Sequence, residues 1–208
     1  MQPLFDPLLS FDLSVFSWIQ TIQNGILTPV MTVVSLLGTK GAIFFLLGFV
    51  LLFFRKYRKL GVAVLGALAI TTVCNSVIIK ELLARPRPFD LDYNWWLAVY
   101  RYPGFVSRPD SFSFPSGHTA AAFAAATVVF CQSRKGGLAL GLFGCLMGFS
   151  RVYLEVHYCT DVLFGALFGV VYALIAVLIV NRLYPVVYPV AEEKLRMIFR
   201  REEAEADA

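Results

Sequence analysis

Apolar runs recur about every thirty residues along this chain, and that spacing constrains the fold more than any other feature. A stretch of about 20 apolar residues crosses a bilayer as a helix. The composition agrees: 58% of residues are hydrophobic and 15% charged, against about 25% charged in a typical soluble domain. Mean hydropathy is +0.70. The expected fold class is all-α, an integral membrane bundle of six transmembrane helices. At 208 residues there is no room for a separate soluble module.

The six spans are read as 19–37, 41–54, 60–83, 117–132, 137–153 and 162–180. The first is weakened by Gln20, Gln23 and Asn24, and its front, Phe11 to Ile22, is read as an amphipathic turn or two along the interface. Short spans are expected to borrow length from their flanks. The sextet forms one membrane domain over 1–190, followed by a charged, alanine-rich cytoplasmic tail over 191–208. Met1 to Ser10 lacks a basic segment before a short apolar core, so no cleavable leader is expected.

Charge sets the orientation. With both termini cytoplasmic, Arg55, Lys56, Arg58, Lys59, Arg134, Lys135, Arg182, Lys194, Arg196, Arg200 and Arg201 lie inside, eleven of the eighteen Lys and Arg residues. The other seven, Lys40, Lys80, Arg85, Arg87, Arg101, Arg108 and Arg151, fall on the outer side, against the positive-inside rule. Cations at membrane depth cost about 2.5 to 3.5 kcal/mol each at a helix centre, so this group needs a reason, and anion binding supplies one. No basic run alternates with aromatics, which argues against nucleic acid as a partner. The longest outer connection, Ala84 to Pro115, is rich in aromatics and reads either as an interfacial belt or as the entry wall for a lipid. The cysteines, Cys74, Cys131, Cys145 and Cys159, form no C-x-x-C pair and are expected to be small buried apolar side chains. Glycines spaced four apart (Gly137 and Gly141, Gly144 and Gly148, Gly165 and Gly169) point to close packing of the last three spans.

Three polar stretches reach the outer face from different spans. In KELLARPRP, Pro86 and Pro88 end a helix, leaving Lys80 in its last turn and Arg87 on the exit loop. In PSGH, Pro115 and Ser116 suit a helix start, whose free N–H groups and dipole favour an anion. Gly117 permits close backbone approach, and His118 projects from the first turn. In SRVYLEVHYCTD, His157 and Asp161 are four apart, so a carboxylate can fix the imidazole tautomer and raise its basicity. Arg151 can fork onto two phosphate oxygens. Each stretch alone is also compatible with a cationic stop, a capped helix or an interfacial ion pair. Together they bring both histidines of the chain, three cations and a helix N-terminus to one membrane face. Phosphoryl transfer uses that set: cations for the equatorial oxygens, an in-line nucleophile, and an acid for the leaving oxygen.

The three stretches resemble the signature of the type 2 phosphatidic acid phosphatase family (PAP2, the lipid phosphate phosphatases), related to the vanadium haloperoxidases. The pattern K-x6-R-P, P-S-G-H, S-R-x5-H-x3-D is matched by Lys80, Arg87 and Pro88, by Pro115 to His118, and by Ser150, Arg151, His157 and Asp161. The resemblance implies that His157 is the nucleophile, Asp161 orients it, and His118 protonates the leaving oxygen. It assigns the phosphate to Lys80, Arg87, Arg151, Ser116 and the Gly117 N–H. It implies no metal or other cofactor. Arg85 lies outside the pattern and receives no role. The implied partners are a lipid phosphate substrate and membrane lipids, with the site on the extracytoplasmic face of a bacterial inner membrane. Undecaprenyl diphosphate is the favoured substrate, with phosphatidylglycerophosphate and phosphatidic acid as alternatives. A non-catalytic lipid-phosphate binder or transporter, and a vanadate-dependent oxidase, are the competing classes. The motifs read the phosphate; the lipid, its route of entry and the oligomeric state are not encoded in them.

Overall fold

The computed structural model describes residues 5–91 and 111–206. Helices and turns account for them, with no strand among the described residues. In chain order the helices are α1 (Asp6–Ile22), α2 (Leu27–Leu37), α3 (Ala42–Phe53), α4 (Arg58–Thr71), α5 (Lys80–Leu83), α6 (Pro88–Leu91), α7 (Gly117–Gln132), α8 (Arg134–Tyr153) and α9 (Cys159–Ala206). Between α4 and α5 the backbone winds as a π-helix over Thr72–Ile79, so the chain continues without a break.

Four runs are long and apolar enough to cross a membrane: Leu27–Phe53, Arg58–Asp90, Arg134–Tyr153 and Cys159–Pro189. The chain is an all-α membrane bundle, as its composition requires. The first two expected spans are partitioned differently. A single 27-residue run, Leu27–Phe53, replaces them, and α1 stands apart. The polar residues that weaken the first span are the cause. Asn24 Oδ1 accepts from the backbone N–H groups of Ile26 (3.0 Å) and Leu27 (2.8 Å), opening a new helix. Gln23 Nε2 donates to Tyr153 O (3.0 Å) at the far end of α8. Lys40 (φ 52°) and Gly41 (φ 72°) then bend the run at Thr39–Gly41 without ending it.

Helix α7 is the axis of the bundle and packs most extensively on α8 and α9. Its alanines 120, 122, 124 and 125 are fully buried, which lets neighbouring backbones approach. Contact is close enough that a Cβ at Gly169 would lie 2.3 Å from Ala120 O, and one at Gly165 would lie 2.7 Å from Ser116 O. Gly141 meets nothing and has no such packing role. Helix α1 lies across the end of the bundle where the polar motifs gather: Phe5 packs on Phe114 (5.3 Å between ring centres) and Phe16 on Tyr158 (5.7 Å). Leu46, Phe53, Leu142, Leu163 and Leu178 are exposed on the outside of the bundle, the surface that suits lipid chains. Contrary to expectation, none of the four cysteines is fully buried: Cys131 and Cys145 are exposed, Cys74 and Cys159 are half-buried, and all four thiols are free. Most of the aromatic outer connection lies outside the described residues. The tail backbone continues α9 as helix to Ala206.

Candidate active site

A cavity of about 670 Å³ opens where the three polar stretches meet. Lys80, Arg87, Gly117, His118, Arg151 and His157 all line it. Helix geometry explains the convergence. Lys80 ends the long α4–α5 run, and Ala84 in the left-handed region (φ 39°) turns the chain sharply so that Arg85 and Arg87 fold back over the bundle. His118 stands in the first turn of α7, Arg151 in the last turn of α8, and His157 in the short link before α9.

Neutral oxygens help to position the cations. Lys80 Nζ donates to Phe112 O (2.7 Å) and Ser111 Oγ (3.3 Å). Arg87 donates through Nε to Ser111 O (2.6 Å) and through Nη1 to Val156 O (2.6 Å). Arg151 Nη1 donates to Ser35 Oγ, a contact from α2. All three cations are buried. Such a cluster is costly alone and becomes favourable around a multiply charged anion.

His157 sits between this cluster and a carboxylate. Its Nδ1 is 3.4 Å from Asp161 Oδ2, and its Nε2 is 3.4 Å from Arg87 Nη1. Burial, followed by the charges of Arg87, Arg151 and Lys80, holds the His157 imidazole well below its ordinary pKa, so it is neutral. A neutral imidazole with Nδ1–H toward Asp161 leaves the Nε2 lone pair for an electrophile. Asp161 is in turn fixed by Arg85 Nη1 (2.5 Å), by the Tyr158 N–H (3.0 Å) and by Ser113 Oγ–H.

At the start of α7, the Ser116 N–H donates to Asp161 O (3.0 Å), tying this helix to α9. Ser116 occupies the cap position but makes no side-chain cap bond; its Oγ pairs with Thr119 Oγ1 (3.0 Å) and is not on the cavity wall. Gly117 has open space beside it: an added Cβ there would meet nothing within 4 Å.

Several supporting residues were not legible as part of the motifs. Arg85 spans Asp161 on one side and Asp12 of α1 on the other (2.8 Å), with its guanidinium between the rings of Phe5 and Tyr158. Asp12 also accepts from the Thr160 N–H (2.9 Å) and Oγ1–H (2.7 Å). Asp12 is completely buried, on the face of α1 that also buries Phe16 and Ile19. Ser35, Ser111 and Ser113 carry no distinguishing sequence signal.

The PAP2 superfamily profile matches residues 60–185, more than half of the chain and all three motifs. The chain belongs to the PAP2 superfamily. It is 28% identical to the undecaprenyl-diphosphatase of Sulfolobus acidocaldarius over 158 residues, 76% of this chain and 72% of that protein. It is 30% identical to phosphatidylglycerophosphatase B of Bacillus subtilis, over 69% of this chain and 70% of that one. Among solved structures, LpxE of Aquifex aeolicus superposes with a TM-score of 0.64 at 30% identity, covering 79% of this chain and 93% of LpxE. This PAP2 protein is accordingly a membrane phosphatase.

Proposed function

We propose that this PAP2 enzyme hydrolyses a lipid diphosphate, undecaprenyl diphosphate or a close analogue, through a phosphohistidine at His157. The observation that carries the reading is that His157 lines one cavity with Lys80, Arg87 and Arg151, with Asp161 Oδ2 3.4 Å from its Nδ1. In the first step Nε2 attacks the terminal phosphorus, a P–N bond forms, and the P–O bond to the bridging oxygen breaks, releasing the lipid monophosphate. The departing oxygen takes a proton from His118. In the second step His118 takes a proton from water, the oxygen of that water attacks phosphorus, the P–N bond breaks, and inorganic phosphate leaves. Lys80, Arg87, Arg151 and the Gly117 N–H bind the transferring oxygens. Ser116 acts through its backbone bond to Asp161 and its position at the helix start, in place of direct side-chain contact. No step calls on a metal or other cofactor.

The membrane domain is taken as 1–190 with the charged tail over 191–208. The site faces the extracytoplasmic side of an inner membrane: Arg55, Lys56, Arg58, Arg134 and Lys135 gather at the opposite end, where Arg58 Nη1 donates to Tyr188 Oη (2.6 Å). Because α1 packs across the site end, we read it on the extracytoplasmic face as well, with the carboxyl terminus alone cytoplasmic. The test is phosphate release by the full chain in detergent with chelator, from undecaprenyl diphosphate, phosphatidylglycerophosphate and phosphatidic acid. Release fastest from the diphosphate, and abolished in His157→Ala, is expected. A preference for either glycerolipid would redirect the substrate assignment, and full activity of His157→Ala would end the mechanism.

A further inference from the structure

The phosphate-binding residues occupy only one wall of the cavity. The other wall is formed by the bend of the Leu27–Phe53 run and by the π-helical segment. Two polar groups there have no role in the steps above. Lys40 rims the cavity on the Thr39–Gly41 turn; it is exposed, makes no ion pair among the described residues, and holds a left-handed φ of 52°. A lysine in that conformation is strained, and such strain gathers at ligand sites. Asn75 is the second group. It is 1% exposed, its Oδ1 accepts from Tyr172 Oη (3.1 Å), and its Nδ2 has no hydrogen-bond partner among the described residues. A buried amide N–H₂ left without an acceptor is rare in a native fold and asks for a ligand.

The π-helix explains how Asn75 reaches the cavity. It closes hydrogen bonds five residues apart, and the Lys80 N–H bonds to Asn75 O. Asn75 and Lys80 therefore stack on one face, together with Thr71, where an α-helix would turn them apart. π-turns of this kind occur often at functional sites.

The turn that carries Lys40 also stands beside the proposed acid, His118. A Cβ on Gly38 would lie 2.9 Å from His118 Cδ2, and one on Gly41 would lie 3.5 Å from Ala121 Cβ, so the turn rests against the first turns of α7. His118 delivers the leaving-group proton, and whatever leaves passes this turn. A lipid alcohol leaving group is uncharged and gains nothing from a cation. A lipid phosphate leaving group carries negative charge and acceptor oxygens.

We infer that Lys40 and Asn75 form a second anion subsite, which holds the lipid-proximal phosphate of a diphosphate while the terminal phosphate is transferred to His157. This rests on the phosphatase reading above and sharpens its substrate class: the site selects diphosphates over monophosphates of the same lipid.

The test compares farnesyl diphosphate with farnesyl monophosphate, using the full chain in detergent and following phosphate release. The quantity read is the ratio of kcat/KM for the two substrates. Lys40→Gln is at the surface and leaves the packing intact; Asn75→Asp keeps the acceptor for Tyr172 while removing the donor. Each is expected to lower the ratio about ten-fold or more, with Lys40→Arg restoring it. A ratio constant within about two-fold in both variants overturns the subsite. A wild-type protein that hydrolyses only the monophosphate also overturns it but leaves the phosphatase reading standing. A wild type inactive on every lipid phosphate removes both.

Discussion

Arg85 joins two carboxylates that are 149 positions apart in the chain: its Nη2 is 2.8 Å from Asp12 Oδ2 and its Nη1 is 2.5 Å from Asp161 Oδ1, all three side chains nearly or fully buried. The amino-terminal helix is thereby wired to the carboxylate behind the proposed nucleophile. Removing Asp12 leaves a buried guanidinium with one partner fewer. Asp12→Ala should cost about 3–5 kcal/mol of stability, and it should lower activity even where the protein remains folded. Thermal unfolding in detergent, read beside phosphate release, checks both. Arg85→Lys should not rescue, because an ammonium cannot fork to two carboxylates.

Asp161 Oδ2 lies 3.4 Å from His157 Nδ1, and in the proposed mechanism it holds the imidazole tautomer. Asp161→Asn preserves the shape but can present an N–H to the ring and favour the wrong tautomer. A fall in kcat on the order of 10³ or more is expected, together with a lower unfolding midpoint, because the buried Arg85 guanidinium loses a charged partner. Steady-state kinetics on the same preparation separates this from simple loss of fold.

Close helix contact makes a sharp packing prediction. At Gly169 an added Cβ would lie 2.3 Å from Ala120 O, a backbone atom that cannot move aside, whereas at Gly141 it would meet nothing within 4 Å. Gly169→Ala should destabilise by about 1–3 kcal/mol through overpacking. Gly141→Ala should stay within about 0.5 kcal/mol of the parent. The pair is compared by thermal unfolding.

Glu155 supplies a pH signature. It is 1% exposed, lies in the left-handed region (φ 49°), and has the Gln23 side-chain amide at 3.3 Å. Burial pushes its carboxyl up to about 8, against a modest opposing hydrogen bond from Gln23. The folded state thus keeps a proton that the unfolded state releases above about pH 4.3. Stability from this group is present below that value and falls as pH rises toward 8, with a limiting slope of about 1.4 kcal/mol per pH unit. Glu155→Gln should flatten that decline, as measured by unfolding midpoints across pH 5 to 8.

Much of the site was written in residue spacing. Lys80, Arg87, His118, Arg151 and His157 line one cavity, because helix ends and the prolines after them are local features that a sequence displays. The supports were hidden for a physical reason. Asp12, Ser35 and Ser113 meet the motifs only through tertiary packing, with no periodicity to announce it. Arg85 was visible as an outer cation, but its partners were not. The boundaries of the first spans were misjudged because Gln23 and Asn24, read as polar interruptions within a helix, satisfy a helix end and a helix start. The π-helix at Thr72–Ile79 had no signal, since its apolar sequence suits an α-helix equally well.

The central claim is a covalent phosphate on His157, and rapid quench under alkaline conditions tests it most directly. The full chain is mixed with lipid diphosphate labelled in the terminal phosphate, quenched within the first turnover, and digested for mapping. Acid-labile, alkali-stable label on the peptide containing His157, and no label in His157→Ala, is the expected result. Label on another residue, or rapid phosphate release by His157→Ala, would contradict it.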